Sequence, residues 1–312
     1  MEAGAVATAI AVMGIITLFG AGLSRWTTIT PEAKHLMIQI VLHIAVPSVI
    51  LNGVFNTSFS DELLSEIGLI IIASLIFHGC ALLGALLLAR AAGFTTTRGK
   101  QLTILAALGN TGFIGIPLAA AVFGPVGGLL AAIFDAGLDF FIFTVVLYML
   151  QPGRGFHLRQ LKTLVNAPLI AVIVGLTSAG LNLEPPVVLR QLVELLAGLA
   201  APLAMLYIGI LLQQLFARTG FTVYKELWFP LSVKLLLIPG IMLAVLPFTP
   251  LAVSTQHLLL LLSGMPTFML AAILFSRYTE DEDTAVLTIA FSTVLSLATI
   301  PLLAWAGAVY LG

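Results

Sequence analysis

The sequence predicts an all-α polytopic membrane protein with ten transmembrane helices in a five-plus-five inverted repeat, whose fourth and ninth helices are broken and cross. Three observations predict this fold: an apolar composition, the placement of Lys and Arg, and motifs that occur once in each half. Of the 312 residues, 60% are hydrophobic and only 9% are charged, whereas a soluble domain carries roughly 25% charged residues. We therefore expect most of the chain to lie in a lipid bilayer.

A bilayer core requires about 20 apolar residues per helix, and ten segments of the chain fit that length. Their approximate bounds are 3–23, 33–55, 66–92, 101–123, 127–150, 166–181, 189–212, 226–246, 252–277 and 284–311. Glu2 precedes the first segment and no Lys or Arg does, so we expect a retained first helix rather than a cleaved signal peptide. The single cysteine, Cys80, gives no disulfide framework.

Positive charge orients these helices, because cytoplasmic loops of membrane proteins carry an excess of Lys and Arg. Most Lys and Arg residues lie in, or at the edges of, connections that follow odd-numbered helices: Arg25, Lys34, Arg90, Arg98, Lys100, Arg154, Arg159, Lys162, Arg218, Lys225 and Arg277. Arg190 lies at the edge of a connection after an even-numbered helix, and Lys234 lies within the eighth helix. We predict an integral plasma (inner) membrane protein with both termini outside and a cytoplasmic connection between the halves.

The two halves resemble one unit used twice. The matching positions are Pro47 with Pro202, Pro117 with Pro266, Asp135 with Ser292, and Asp139 with Ser296. Their offsets are all close to half of the chain length. Residues 1–150 then form the first repeat, 151–165 a short linker and 166–312 the second repeat. Because each repeat has an odd number of helices, the second enters the membrane from the opposite side, as in many secondary transporters.

The stretch GNTGFIGIPLAAAVFG, from Gly109 to Gly124, interrupts the fourth segment, and we expect residues 110–117 to be unwound. An unpaired backbone amide is costly in hydrocarbon, so such a break must face protein or an aqueous cavity. The candidate substrate-binding residues at this break and at its counterpart in the ninth helix are Asn110, Thr111, Gly112, Pro117, Gly264, Pro266 and Thr267. The alternative is that the two prolines merely kink continuous helices and that the glycines allow close packing.

Ionisable residues inside the predicted spans are the other candidates. Asp135 and Asp139 are four residues apart and so lie on one face of the fifth helix. They either bind a coupling proton or cation, or serve a structural role, for example by pairing with Lys234. Lys234 either neutralises an anionic substrate or pairs with one of these aspartates. For His43 and His78 we expect hydrogen-bonded packing roles.

The chain lacks the sequence motifs of several functional classes. It contains no GxxxxGK[ST] phosphate loop, no His, Cys and Glu cluster with metal-ligand spacing and no GxSxG elbow. We therefore expect no enzyme activity, no cofactor, no metal site and no nucleic-acid partner. A coupling proton or sodium ion is the one ion that the prediction leaves open.

Three motifs resemble the membrane transport proteins of the auxin efflux carrier family: GNTGFIGIP in the fourth helix, GMPTFMLAAILFSRY in the ninth and FSTVLSLATIP in the tenth. The resemblance covers the whole chain, and the short central loop is similar to that of the bacterial permeases of the family. It implies a scaffold of helices at about 3–55 and 166–212 and a transport domain of helices at about 66–150 and 226–311. It also implies a substrate site at the crossing, which carries over to Asn110, Thr111, Pro117 and Pro266.

The resemblance implies organic acids such as malonate or malate as substrates, without choosing among them. We accordingly expect a secondary transporter that moves a small mono- or dicarboxylate by alternating access, with an elevator-like motion. The alternatives are a cation/proton antiporter that uses Asp135 and Asp139, and a membrane ligand sensor that does not transport. The paired aspartates of sodium–proton antiporters are adjacent, whereas these are four residues apart. The expected partners are the organic anion and the bilayer, with a homodimer left open.

Overall fold

The computed structural model describes residues 3–57, 60–151, 165–219 and 225–312, and over these it is helical. We number the helices in chain order: α1 Ala3–Trp26, α2 Pro31–Phe55, α3 Asp61–Ala91, α4 Thr96–Ala107, α5 Thr111–Leu150, α6 Ala167–Gly180, α7 Val187–Ala197, α8 Ala200–Thr219, α9 Lys225–Phe248, α10 Val253–Ser263, α11 Leu270–Tyr278 and α12 Glu282–Tyr310. Most of the predicted linker, including Arg154, Arg159 and Lys162, lies outside the described residues.

Six helices in the described part of the chain are long and apolar enough to cross a membrane. They are α2, α3, α5, α9, α12, and α7 with most of α8 over Val187–Gln214. The shorter apolar helices are Ala11–Trp26, Ala167–Gly180 and Val253–Ser263. The prediction of an all-α polytopic membrane protein is confirmed at this level. The count of ten spans and the inverted repeat stay predictions.

Polar residues set several helix starts. The Thr30 side chain accepts a hydrogen bond from the Ala33 amide before α2, and Asn166 does the same for Leu169 before α6. Such caps satisfy amides that have no partner within the helix. The third helix begins at Asp61, five residues before the predicted bound of 66, because Asp61 and Glu62 are favourable in a first helical turn.

Three prolines within the long helices follow widened turns. Pro47 comes after the π-helical turn Val41–Ala45, Pro117 after Thr111–Gly115, and Pro239 after Val233–Leu237. A proline has no amide hydrogen, and its ring clashes with the carbonyl one turn earlier. A local π-helical adjustment accommodates this defect in an apolar environment. These three prolines therefore do not end their helices.

The long helix α5 changes direction at Gly124. This residue has φ 74° and ψ −172°, a conformation that is accessible mainly to glycine, and Pro125 follows it. At 40 residues, α5 is about 60 Å long, roughly twice the thickness of a bilayer core. Gly124 thus lies where the sequence separates the predicted fourth and fifth spans.

The chain forms two compact units. The first contains the described parts of residues 1–68, 112–133 and 166–221, and the second those of 69–111, 134–165 and 222–312. In the first unit, α1 packs closely on α8, and α2 packs on α6 and α7. In the second, a hydrophobic core joins residues of α3, α4, the last part of α5, α9, α11 and α12.

Candidate functional site at two paired helix breaks

Two helix breaks pair with each other in the second unit. Helix α4 ends at Ala107 and α5 begins at Thr111, while residues 264–269 separate α10 from α11. The Asn110 amide donates to the Pro266 carbonyl at 2.7 Å, and the Phe268 amide donates to the Leu108 carbonyl at 3.3 Å. Between these bonds, Gly109 and Thr267 form an antiparallel β-bridge. Each break therefore supplies backbone partners for the other.

Thr267 connects the breaks to two further elements. Its hydroxyl donates to the Leu105 carbonyl in the last turn of α4 at 3.0 Å, and its amide donates to Ser292 Oγ of α12 at 3.0 Å. Thr267, Ser292 and Leu105 are all completely buried. These contacts satisfy backbone groups that a broken helix would otherwise leave unpaired in an apolar interior.

Asp135 lies beside the first break. The Thr111 hydroxyl donates to Asp135 Oδ1 at 2.5 Å, and both residues are buried. Asp139, one turn further along α5, is only partly buried. The sequence paired Asp135 with Ser292, and each of these side chains accepts a hydrogen bond from the break in its own half of the chain.

Lys234 reaches the second break from α9. Its side chain is fully buried, and Nζ donates to the Ser263 carbonyl at 3.1 Å. The described contact of Lys234 is therefore with a backbone carbonyl at the end of a half-helix, whereas Arg98 forms ion pairs with Glu226 and Asp281.

The first break is shorter than predicted and lies earlier in the chain. We expected residues 110–117 to be unwound, but Leu108 to Asn110 is the non-helical part, and Pro117 is helical. Thr111–Gly115, which contains Gly112, is a π-helical turn. This turn accommodates the missing amide hydrogen and the ring of Pro117, so Pro117 does not break the helix.

Pro117 belongs to the first unit, where it lines a cavity of about 290 Å³. Most of the lining is apolar, from α2, α5, α7 and α8, and Asn52 and Glu194 are its polar members. The predicted site residues therefore divide between the two units. Gly112 and Pro117 lie in the first, while the second contains Asn110, Thr111, Asp135, Asp139, Lys234, Gly264, Pro266 and Thr267.

The structure adds residues that the sequence analysis did not select. Ser74 of α3 donates to the Phe134 carbonyl at 2.5 Å, directly before Asp135. His78, one turn later, bonds through Nδ1 to the Ser74 carbonyl at 2.8 Å and contacts the Phe134 ring. This agrees with the packing role expected for His78. The serine–histidine spacing of four residues was the available signal, because it places both side chains on one helical face.

Comparisons with known proteins identify the family to which the chain belongs. The family described as "Membrane transport protein" matches residues 5–304. An "Uncharacterized transporter" of Methanothermobacter thermautotrophicus is 29% identical over 294 residues, covering 92% of this chain and 94% of that protein. A "Putative malonate transporter" of Rhizobium meliloti is 24% identical over 287 residues, covering 86% of this chain and 85% of that protein.

The family match covers nearly all of the chain, and the predicted resemblance to the auxin efflux carrier family is confirmed. It also confirms that the chain is a transport protein and not an enzyme. Together with the apolar helices of the chain, the family match shows that this is an integral membrane protein. The paired helix breaks thus lie in a chain that belongs to the membrane transport protein family.

Proposed function

We propose that the chain is a secondary transporter that moves a small organic anion across the membrane by alternating access. The observation that carries this proposal is the pairing of two broken helices around buried polar residues in a transport-family chain. Discontinuous helices in secondary transporters direct half-helix ends and freed backbone groups at substrates and ions. A continuous bundle would offer no such groups inside an apolar core.

The fold that we propose for this transport has ten spans in two inverted repeats, 1–150 and 166–312. The matching contacts of Asp135 and Ser292 at their respective breaks support this repeat. Helices at about 3–55 and 166–212 would form the scaffold, and those at about 66–150 and 226–311 would move in an elevator-like manner. The distribution of Lys and Arg supports external termini and a cytoplasmic central linker. A homodimer stays a prediction.

In this proposal Asn110 and Thr111 contact the substrate carboxylate. Thr111 begins α5, so it lies at the positive end of a helix dipole, which favours an anion. Lys234 or the aspartates balance the charge of the bound anion. The description of the Rhizobium meliloti relative as a "Putative malonate transporter" supports a short dicarboxylate such as malonate as the first substrate to try.

The test is uptake of labelled malonate, malate and a monocarboxylate by vesicles that contain the purified protein. Asn110→Ala and Thr111→Ala should each lower the uptake rate at least about tenfold, because a polar contact with the substrate carboxylate is lost. Asn56→Ala, at an exposed position just after α2, is the matched control. Unchanged uptake by both variants, at equal amounts of protein, would show that the site assignment is wrong.

A second candidate function is cation/proton antiport centred on Asp135 and Asp139. The burial of Asp135 and its bond from Thr111 favour this alternative, because a buried carboxylate in a membrane commonly marks an ion pathway. Vesicles with an internal pH-sensitive dye would then show proton flux on addition of sodium, and Asp135→Asn would abolish it. Organic-anion uptake without cation-dependent proton flux would decide for the first candidate.

A further inference from the structure

Lys234 places a buried amine inside a membrane-spanning helix. It lies in the π-helical turn Val233–Leu237 of α9, and its side chain has no exposed surface. An ammonium group in such an environment requires acceptors that replace water. Its partners at the crossing therefore indicate what the amine does there.

The Lys234 amine caps the carboxyl end of α10. The last carbonyls of this half-helix, at Leu260, Leu261 and Leu262, accept backbone bonds from Gly264 and Met265. The final carbonyl, that of Ser263, accepts from Lys234 Nζ at 3.1 Å. A positive charge at this position also interacts favourably with the negative end of the helix dipole.

The amine also lies against the first break. A Cβ atom added to Gly109 would lie 3.0 Å from Lys234 Nζ and 3.2 Å from Lys234 Cε. The backbone of Gly109 thus leaves the space that the ammonium group fills. The Lys234 nitrogen therefore bonds to the second break at Ser263 and lies next to Gly109 of the first break.

We propose that the Lys234 ammonium group is a tethered cation that takes the place of a bound sodium ion at the crossing. In transporters with discontinuous helices, carbonyls and half-helix carboxyl ends coordinate sodium or protons. Here the same kind of position is filled by a charge that the chain carries itself. If the proposed transport function holds, transport through this crossing does not depend on sodium.

The first arm of the test uses the detergent-purified wild-type protein without substrate. Its thermal unfolding midpoint should be the same in sodium, potassium and choline chloride at equal ionic strength. A saturable rise that is specific to sodium would overturn the proposal, because a ligand that binds only the folded state raises its stability. This arm requires no variant, so it stands even if substitutions prevent folding.

The second arm removes the amine. Lys234→Ala should lower the midpoint by about 5 °C or more, since a charged donor to a buried carbonyl is lost. Ammonium and methylammonium should restore part of this loss, and tetramethylammonium, which cannot donate a hydrogen bond, should not. Lys234→Met keeps most of the side-chain volume, and it should be destabilised as well. Lys225→Ala, at an exposed lysine of the same helix, is the control.

A Lys234→Met protein as stable as wild type would show that the charge is not needed, and it would overturn the proposal. So would a Lys234→Ala protein that gains nothing from ammonium or methylammonium. Both arms measure stability without membrane or substrate, so their failure does not bear on organic-anion transport. Conversely, absent anion uptake in vesicles would refute the proposed function and leave the tethered cation intact.

Discussion

At Gly109, a neighbouring side chain rather than the backbone angles favours a glycine. A Cβ atom there would lie 3.0 Å from Lys234 Nζ, which is closer than most such contacts, and the β-bridge to Thr267 fixes the backbone there. Neither the amine nor the bridge partner is close to Gly109 in sequence. The glycine-rich motif therefore indicated a break, but it could not indicate what the break encloses.

Replacing Gly109 with Ala should destabilise the protein by about 1–3 kcal/mol, because the new methyl group would displace the Lys234 amine in a packed interior. Thermal unfolding in detergent measures this. Gly84→Ala is the matched control, since a Cβ atom at Gly84 meets nothing within 4 Å. Equal stability of the two variants would contradict the described position of the amine.

At the scale of helices, the sequence predicted the locations of the elements better than their ends and connections. Apolar length alone located the long helices, because the bilayer imposes it. The missed details depend on local geometry. The widened turn before Pro117 moved the break to residues 108–110, and capping by Thr30 extended α2 to Pro31. Such effects depend on single hydrogen bonds, which a hydropathy pattern does not contain.

The contact between α1 and α8 depends on small residues. A Cβ atom at Gly20 would lie 2.2 Å from the Leu206 carbonyl oxygen. Gly20→Ala should therefore separate the two helices and lower the thermal midpoint strongly, in line with the use of small residues at membrane-helix contacts. Gly22→Ala, on the same helix with open space around it, should change stability by no more than about 0.5 kcal/mol. A similar midpoint for both variants would show that this packing is not close.

Arg98 joins the starts of three helices in the second unit. It lies in the first turn of α4 and pairs with Glu226 of α9 and with Asp281, directly before α12. A cation at a helix amino end opposes the helix dipole, and the two carboxylates offset this cost. These side chains are partly exposed, which weakens each pair by solvent screening.

Arg98→Gln should accordingly cost about 1 kcal/mol in low salt, and less in high salt, because ions screen partly exposed pairs. Thermal unfolding at two salt concentrations measures the difference. The exposed Arg190 provides the control variant, Arg190→Gln. An Arg98→Gln protein as stable as wild type in low salt would show that the ion pairs contribute nothing to stability.

At the scale of the whole molecule, the distribution of Lys and Arg predicts on which side of the membrane the two termini lie. If the amino end is outside and the chain has ten spans, a reporter fused to the carboxyl end also lies outside the cytoplasm. We therefore expect an alkaline phosphatase fusion after Gly312 to be active and a green fluorescent protein fusion there to be dark. The opposite result would require an odd number of spans or an amino end in the cytoplasm.

The candidate site was predictable only in its parts. The sequence selected Asn110, Thr111, Pro266 and Thr267, and the second unit brings these together through backbone pairing. It also selected Lys234 but could not choose its partner, because Ser263 offers a backbone carbonyl that every residue type possesses. Partners of that kind carry no signal in a sequence, so the structure was needed to find them.

The mutual pairing of the two breaks has a consequence for the thermodynamics of ligand binding. Since Leu108, Asn110, Pro266 and Phe268 satisfy one another, a ligand does not have to unwind a helix or order a loop. Preorganisation of this kind reduces the entropy lost on association. Amide hydrogens of Asn110 and Phe268 should then exchange slowly with deuterium both before and after a ligand is added. Because little free energy is lost in ordering the site, differences in the contacts that ligands make there can appear directly as differences in affinity.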